Sequence, residues 1–164
     1  MWFRKRKSDP ADVSRSLRER ALSVTADAIG ATPTAKRQHV WAVLMETGYP
    51  DAVASLVAFA DGTTSMYFSS GGGVIGAGDH EHVRVASQVF LDQAEAHVAK
   101  FSPTTQHPLP APGRVRFYVR TFGGLLTAEA DEDDLGYERH ELSPVFHSGH
   151  TVISEIREIE ESKA

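Results

Sequence analysis

Residues 52 to 80 read AVASLVAFADGTTSMYFSSGGGVIGAGDH, and the fold turns on how this stretch is divided. Asp61-Gly62 separates two apolar runs, and a two-residue Asp-Gly connection takes up the positive φ angles of a tight hairpin. A third run, VWAVLMET at 40 to 47, precedes them across the turn Gly48-Tyr49-Pro50-Asp51. Strands are therefore expected at 40 to 47, 52 to 60 and 63 to 69, as a three-stranded antiparallel meander. The first two are too apolar for exposed strands. Beyond them Gly71, Gly73 and Gly76 fit the spacing G-x-G-x-x-G between a strand and a helix, so the bend either cradles a phosphate or turns a corner.

A dinucleotide site needs those glycines in a parallel βαβ unit, with an acidic residue about 20 positions on at the end of the next strand. Here the preceding strand belongs to a hairpin, and the candidates Asp92 and Glu95 fall inside the following helix. A phosphate loop would also want lysine after the last glycine, whereas Gly78 is followed by Asp79, which repels phosphate at a helix start. No cofactor is expected. Gly71 to Gly73 are read as backbone leaving the sheet with positive φ, Val74 and Ile75 as returning to the core, and Gly76 and Gly78 as sites of close packing.

Working outward, Asp9-Pro10 reads as an N-cap and a first helical proline. The apolar stripe Val13, Leu17, Ala21, Val24 and Ala28 carries that helix to a stop at Gly30. Asp79 is expected to cap a helix from about 80 to 101 with Val83, Ala86, Phe90, Ala94, Val98 and Phe101 on one face. SPTTQHPLPAPG follows, with four prolines between Pro103 and Pro112, which suits an extended connection and neither a helix nor a central strand. RVRFYVRTF at 114 to 122 alternates as a half-buried strand, Gly123-Gly124 turns it into LLTAEA, and an acidic loop, DEDDLG, leads to a helix over roughly 144 to 162. The predicted order is α-βββ-α-ββ-α: an α+β fold with a single, mostly antiparallel five-stranded sheet and helices packed on it.

A chain of 164 residues with 41% hydrophobic and 24% charged residues suits one ordinary core, here residues 9 to 164 behind a basic aromatic tail at 1 to 8. The absence of cysteine excludes disulfides, thiolate nucleophiles and Cys-ligated zinc. The longest uninterrupted apolar runs, such as Val40 to Met45, fall far below a bilayer span, and the polar Ser8-Asp9-Pro10 stands where a signal peptide would continue apolar. A cytoplasmic protein is expected. Its net charge of −5 is unevenly placed: residues 1 to 40 hold nine Lys/Arg and four Asp/Glu, the remainder eight and eighteen. Nucleic acid is disfavoured by so acidic a body.

The element order resembles the profilin-like architecture and, within it, the roadblock/LC7 family of small dimerising regulators. The segments LMETGYP, ADGTTSMYFSSGGGVIGAG and LSPVFHSGHTVI are similar to those of a widespread set of uncharacterised bacterial proteins, a likeness spanning residues 40 to 157. The first resemblance implies a dimeric interaction module and carries over no individual residue. The second brings no activity with it.

Chemistry-bearing motifs are sparse. His80 and His82 flank Glu81 at a spacing that points side chains in different directions on a helix. His147 and His150 stand three apart and, with His140 or Glu141, make the better metal candidate. Asp131 to Asp134 lack the later ligands of a calcium loop, Leu135 and Leu142 standing where two are needed. Neither G-x-S-x-G nor S-x-x-K occurs, so no catalytic residue is assigned. Two surfaces remain. Arg114, Arg116, Tyr118 and Arg120 share one strand face, an aromatic-basic stripe for a ligand or partner or for the acidic loop. Trp2, Phe3, Arg4, Lys5, Arg6 and Lys7 could touch an anionic inner membrane face or a partner. The expected function is a non-enzymatic interaction or regulatory module that self-associates or binds a protein. The alternative is a small-ligand-binding protein or hydrolase with a pocket among the glycine loop, Arg116, Arg120 and His147 or His150.

Overall fold

The computed structural model describes residues 9–163. The meander forms as β1 (Val40–Gly48), β2 (Val53–Phe59) and β3 (Thr64–Phe68), with Gly62 at φ 95° in the β2–β3 hairpin. Every residue of β1 is buried, as an apolar strand covered on both faces must be. The sheet has seven strands where five are expected. β4 (Gly73–Val74) folds back along β3, and β5 (Ser102–Pro103) pairs with β7 (Gly124–Asp131), which follows β6 (Arg114–Thr121). The order is β4-β3-β2-β1-β6-β7-β5, and every pairing is antiparallel. The two additions are two residues long, too short for alternation to betray them, and Pro103 is tolerated because β5 lies at an edge.

The helices are α1 (Pro10–Ser23), α2 (Glu81–Ala96), a single turn α3 (Glu132–Gly136) and α4 (Ser143–Ser162). Asp9 accepts from the Ala11 amide at 3.0 Å, the N-cap expected of it. α1 stops short of Gly30: Val24 turns extended at ψ 142°, and a separate 3-10 turn, Asp27–Ile29, is the element that Gly30 closes at φ 69°. Thr25 accepts from the Ala28 amide and so starts that turn independently. Asp79 likewise does not cap α2; it lies in a 3-10 turn, Ala77–Asp79, and His80 precedes the helix without a side-chain bond. α2 also ends earlier than expected, at Ala96, and another 3-10 turn, Val98–Lys100, brings Phe101 edge-on to Phe117. The acidic segment expected as a loop is α3, whose Glu132, Asp133 and Asp134 suit the positive end of a helix while Leu135 is buried beneath.

Strand alternation gives the sheet two unlike faces. α2 and α4 cover one, where Phe90, Leu91, Val145, Val152 and Ile156 meet Val43, Met45, Leu56, Phe117 and Val119. Gly149 lets α4 approach, since a Cβ there would come within 2.7 Å of Met45. α1 covers part of the other face, a smaller cluster of Ala21, Leu44, Val57, Tyr67 and Tyr118.

The glycine bend joins antiparallel neighbours. Gly71, Gly73 and Gly76 have φ of 110°, 146° and 73°, and a Cβ on Gly78 would stand 2.0 Å from the Gly62 carbonyl oxygen. The loop is therefore built by conformation and clearance. Val74 returns to pack against the core, but Ile75 does not: it is 64% exposed at the tip of the bend.

Candidate functional site beneath the first helix

Strand register lines up Tyr67, Ser55, Glu46, Arg116 and Glu129 as one row across β3, β2, β1, β6 and β7. At the centre Glu46 is wholly buried, an uncommon place for a carboxylate unless it is paired. Arg18 supplies the pair from α1: its Nε donates to Oε2 at 2.9 Å and its Nη2 to Oε1 at 2.9 Å, while Ser55 donates to Oε2 at 2.6 Å. Arg18 reaches this point because Ser14, Leu17, Arg18 and Ala21 recur at helical spacing on the sheet-facing side. Burial disfavours its charge, but the hydrogen bond and the charge of Glu46 outweigh that and raise the guanidinium above its ordinary value. Its Nη2 also donates to the His107 carbonyl at 2.8 Å, tying the proline-rich segment to the same point.

A second arginine fastens the other end of α1. Arg120 donates to the carbonyls of Ala21 (3.1 Å) and Val24, where the helix leaves acceptors unpaired, and lies 4.4 Å over the Trp41 ring. Desolvation draws this guanidinium below its usual value.

Between α1, β2, β3 and the proline-rich segment lies a cavity of about 410 Å³, lined by Ser14, Arg15, Arg18, Ser55, Tyr67 and Leu109 among others. Tyr67 is 4% exposed and its hydroxyl has no hydrogen-bond partner among the described residues. Desolvation first, and the Glu46 charge second, push its phenol far above the ordinary range, so it remains a donor. Tyr118 differs: its hydroxyl donates to the Pro108 carbonyl at 2.5 Å.

The expected basic stripe does share one strand face, yet it is not an open surface. Arg114 pairs with Asp131 at 2.7 Å, Arg116 with Glu129 at 3.2 Å, Arg120 lies under α1, and Tyr118 is fully buried. Acidic residues of the adjacent β7 take up Arg114 and Arg116, and the helix and proline-rich segment cover Arg120 and Tyr118. His147 and His150 are on α4, against the opposite face of the sheet, so they cannot line one pocket with Arg116 and Arg120. The His150 ring lies 4.3 Å from that of Phe146, tilted by 53°, His147 is 4.0 Å from Glu138, His140 accepts the Leu142 amide and Glu141 pairs with Lys100. These four are engaged separately, and among the described residues no group of three metal-ligating side chains is assembled. Trp2, Phe3, Arg4, Lys5, Arg6 and Lys7 lie outside the described residues. No helix among those described is long and apolar enough to cross a membrane.

On the helical side, α2 and α4 leave a groove of about 470 Å³ between them, bounded by Glu81, His82, Val85, Val89, Thr151 and Glu155. Val85 and Val89 are 59% and 47% exposed, one turn apart.

Sequence reasoning missed Glu46. The signal was an acid in the middle of VWAVLMETG, a strand otherwise too apolar to face solvent on either side. No protein-family description, curated protein or solved structure matches the chain.

Proposed function

We propose that this chain is a non-enzymatic interaction module that works as a homodimer, with the α2–α4 layer as its contact surface. The observation that carries the reading is the exposed Val85–Val89 pair over the inter-helical groove. An apolar centre with Glu81, His82 and Glu155 around it has the core-and-rim make-up of a protein contact. Likeness in element order to the profilin-like and roadblock/LC7 domains supports the same reading, and that finer fold assignment is part of the proposal.

Light scattering of the full chain at micromolar concentration tests it. Twice the 17.9 kDa chain mass is expected, falling to the single mass on Val85→Asp/Val89→Asp with the melting temperature of the isolated fold retained. A native chain that scatters as a monomer refutes the reading. The tail Trp2 to Lys7 adds a proposed contact with anionic lipid at the cytoplasmic membrane face, motivated by two aromatics beside four cations. Equal sedimentation with phosphatidylserine vesicles, with and without residues 1 to 8, removes that contact.

A further inference from the structure

The helix-covered cavity on the opposite face holds donors that the fold does not use. Tyr67 is part of its wall and has a buried hydroxyl with no partner among the described residues. Arg18 spends Nε and Nη2 on Glu46 and the His107 carbonyl, while its Nη1 makes no hydrogen bond within the described chain. Arg15 stands at the same wall, its only ion pair among the described residues an exposed one to Asp12 at 2.9 Å. Two of the acceptors nearby are already committed, Glu46 to Arg18 and Ser55, and Ser69 to the Val53 amide at 2.8 Å, while the Glu19 carboxylate, also on the wall, makes no ion pair among the described residues and shares the cavity lining with the two arginines Arg15 and Arg18. A buried polar group left unpaired is a cost to the fold, so an occupant that satisfies Tyr67 gains what the empty fold forgoes. Apolar contact is available from Ala11, Val53 and Leu109. The volume of about 410 Å³ falls within the range of small-molecule sites, which pair an apolar wall with a few convergent polar groups.

We propose that this cavity binds a small organic carboxylate, one oxygen accepting from the Tyr67 hydroxyl and the other facing Arg18 Nη1 and Arg15, with the apolar body against Val53 and Leu109. The site goes beyond the dimer reading and is independent of it, since α1 lies on the far side of the sheet from the α2–α4 groove. Glu46 keeps its own counter-ion throughout, so the ligand adds to the existing pair and does not displace it.

Benzoate serves as the probe, with benzamide and benzylamine as matched neutral and cationic controls, in a backbone-amide NMR titration of the full chain. Benzoate is expected to shift amides of residues 11 to 19, 53 to 55, 67 to 69 and 109, benzamide to act more weakly and benzylamine to leave them unmoved. Tyr67→Phe keeps the ring in the core and removes the donor; a loss of about tenfold in benzoate affinity is expected, the weight of one hydrogen bond to a charged group. Leu109→Asp, at a half-exposed loop position, is expected to weaken benzoate by placing a like charge at the mouth. No response to benzoate at about 20 mM, a range suited to a ligand of so few atoms, an equal response to benzylamine, or undiminished binding by Tyr67→Phe overturns the proposal.

Discussion

Replacing Arg18 with methionine tests whether α1 is held by the buried ion pair. Methionine preserves most of the side-chain volume against the Tyr118 ring, which the guanidinium carbon overlies at 5.8 Å, and removes only the charge and the donors. Glu46 then stays in a site with no solvent exposure, keeping one hydrogen bond, from Ser55. Removing one member of a buried pair costs about 3–5 kcal/mol. Arg18 is 17% exposed and borders the cavity, so water reaches the vacated position and the lower end, about 3 kcal/mol, applies. For a chain of 164 residues that corresponds to a fall in Tm on the order of 10 °C. Arg18→Met/Glu46→Met leaves no orphaned charge and is expected to recover much of the loss. Arg15→Met is the control, its pair being 68% and 59% exposed and worth less than about 1 kcal/mol. Urea unfolding and thermal melts read all four chains. If Arg18→Met is no less stable than Arg15→Met, or if the double variant is worse than Arg18→Met alone, α1 is not held by this pair.

Gly78→Ala is expected to destabilise more than Gly72→Ala: its Cβ meets the Gly62 backbone oxygen at 2.0 Å, whereas Gly72 at φ 86° has open space and costs only the left-handed penalty of about 1–2 kcal/mol; equal losses by urea unfolding would contradict the clearance argument. Stability is also expected to fall in two acid steps. Desolvation, aided by His147 and Arg157, lowers the folded pKa of His150, so the unfolded chain binds the extra proton and stability declines as pH drops below about 6.5, the unfolded value. For Glu95 burial works against the charge, but hydrogen bonds donated by the His39 and Val40 amides at 2.7 and 3.0 Å outweigh it and lower the folded pKa. Its contribution is full above about pH 4.3 and lost as pH falls through the folded value. His150→Gln is expected to remove the first step and Glu95→Gln the second, in melts taken from pH 8 to pH 3.

Hydrophobic period made the longer elements legible. β1, β2, β3, β6 and α4 lie within a residue or two of the expected ranges because each repeats its apolar pattern several times. β4 and β5 have no room for a period, and α1 ends before its stripe does because Arg120, distant in sequence by nearly a hundred residues, caps carbonyls at Ala21 and Val24. The face shared by Arg114, Arg116, Tyr118 and Arg120 was readable from alternation, whereas what covers it was not, since that depends on where α1 and the proline-rich segment settle. Glu46 was visible in the sequence as an anomaly, but its meaning needed Arg18 from α1 and Ser55 across the strand pair.

The two sides of the sheet are joined by different physics, and this orders how the molecule comes apart. α2 and α4 are wedged on by a wide hydrocarbon contact, while α1 rests on two guanidinium pins and a small apolar patch. Partial opening therefore begins with α1 peeling off the β-scaffold, so its amides should exchange with deuterium ahead of those in β1.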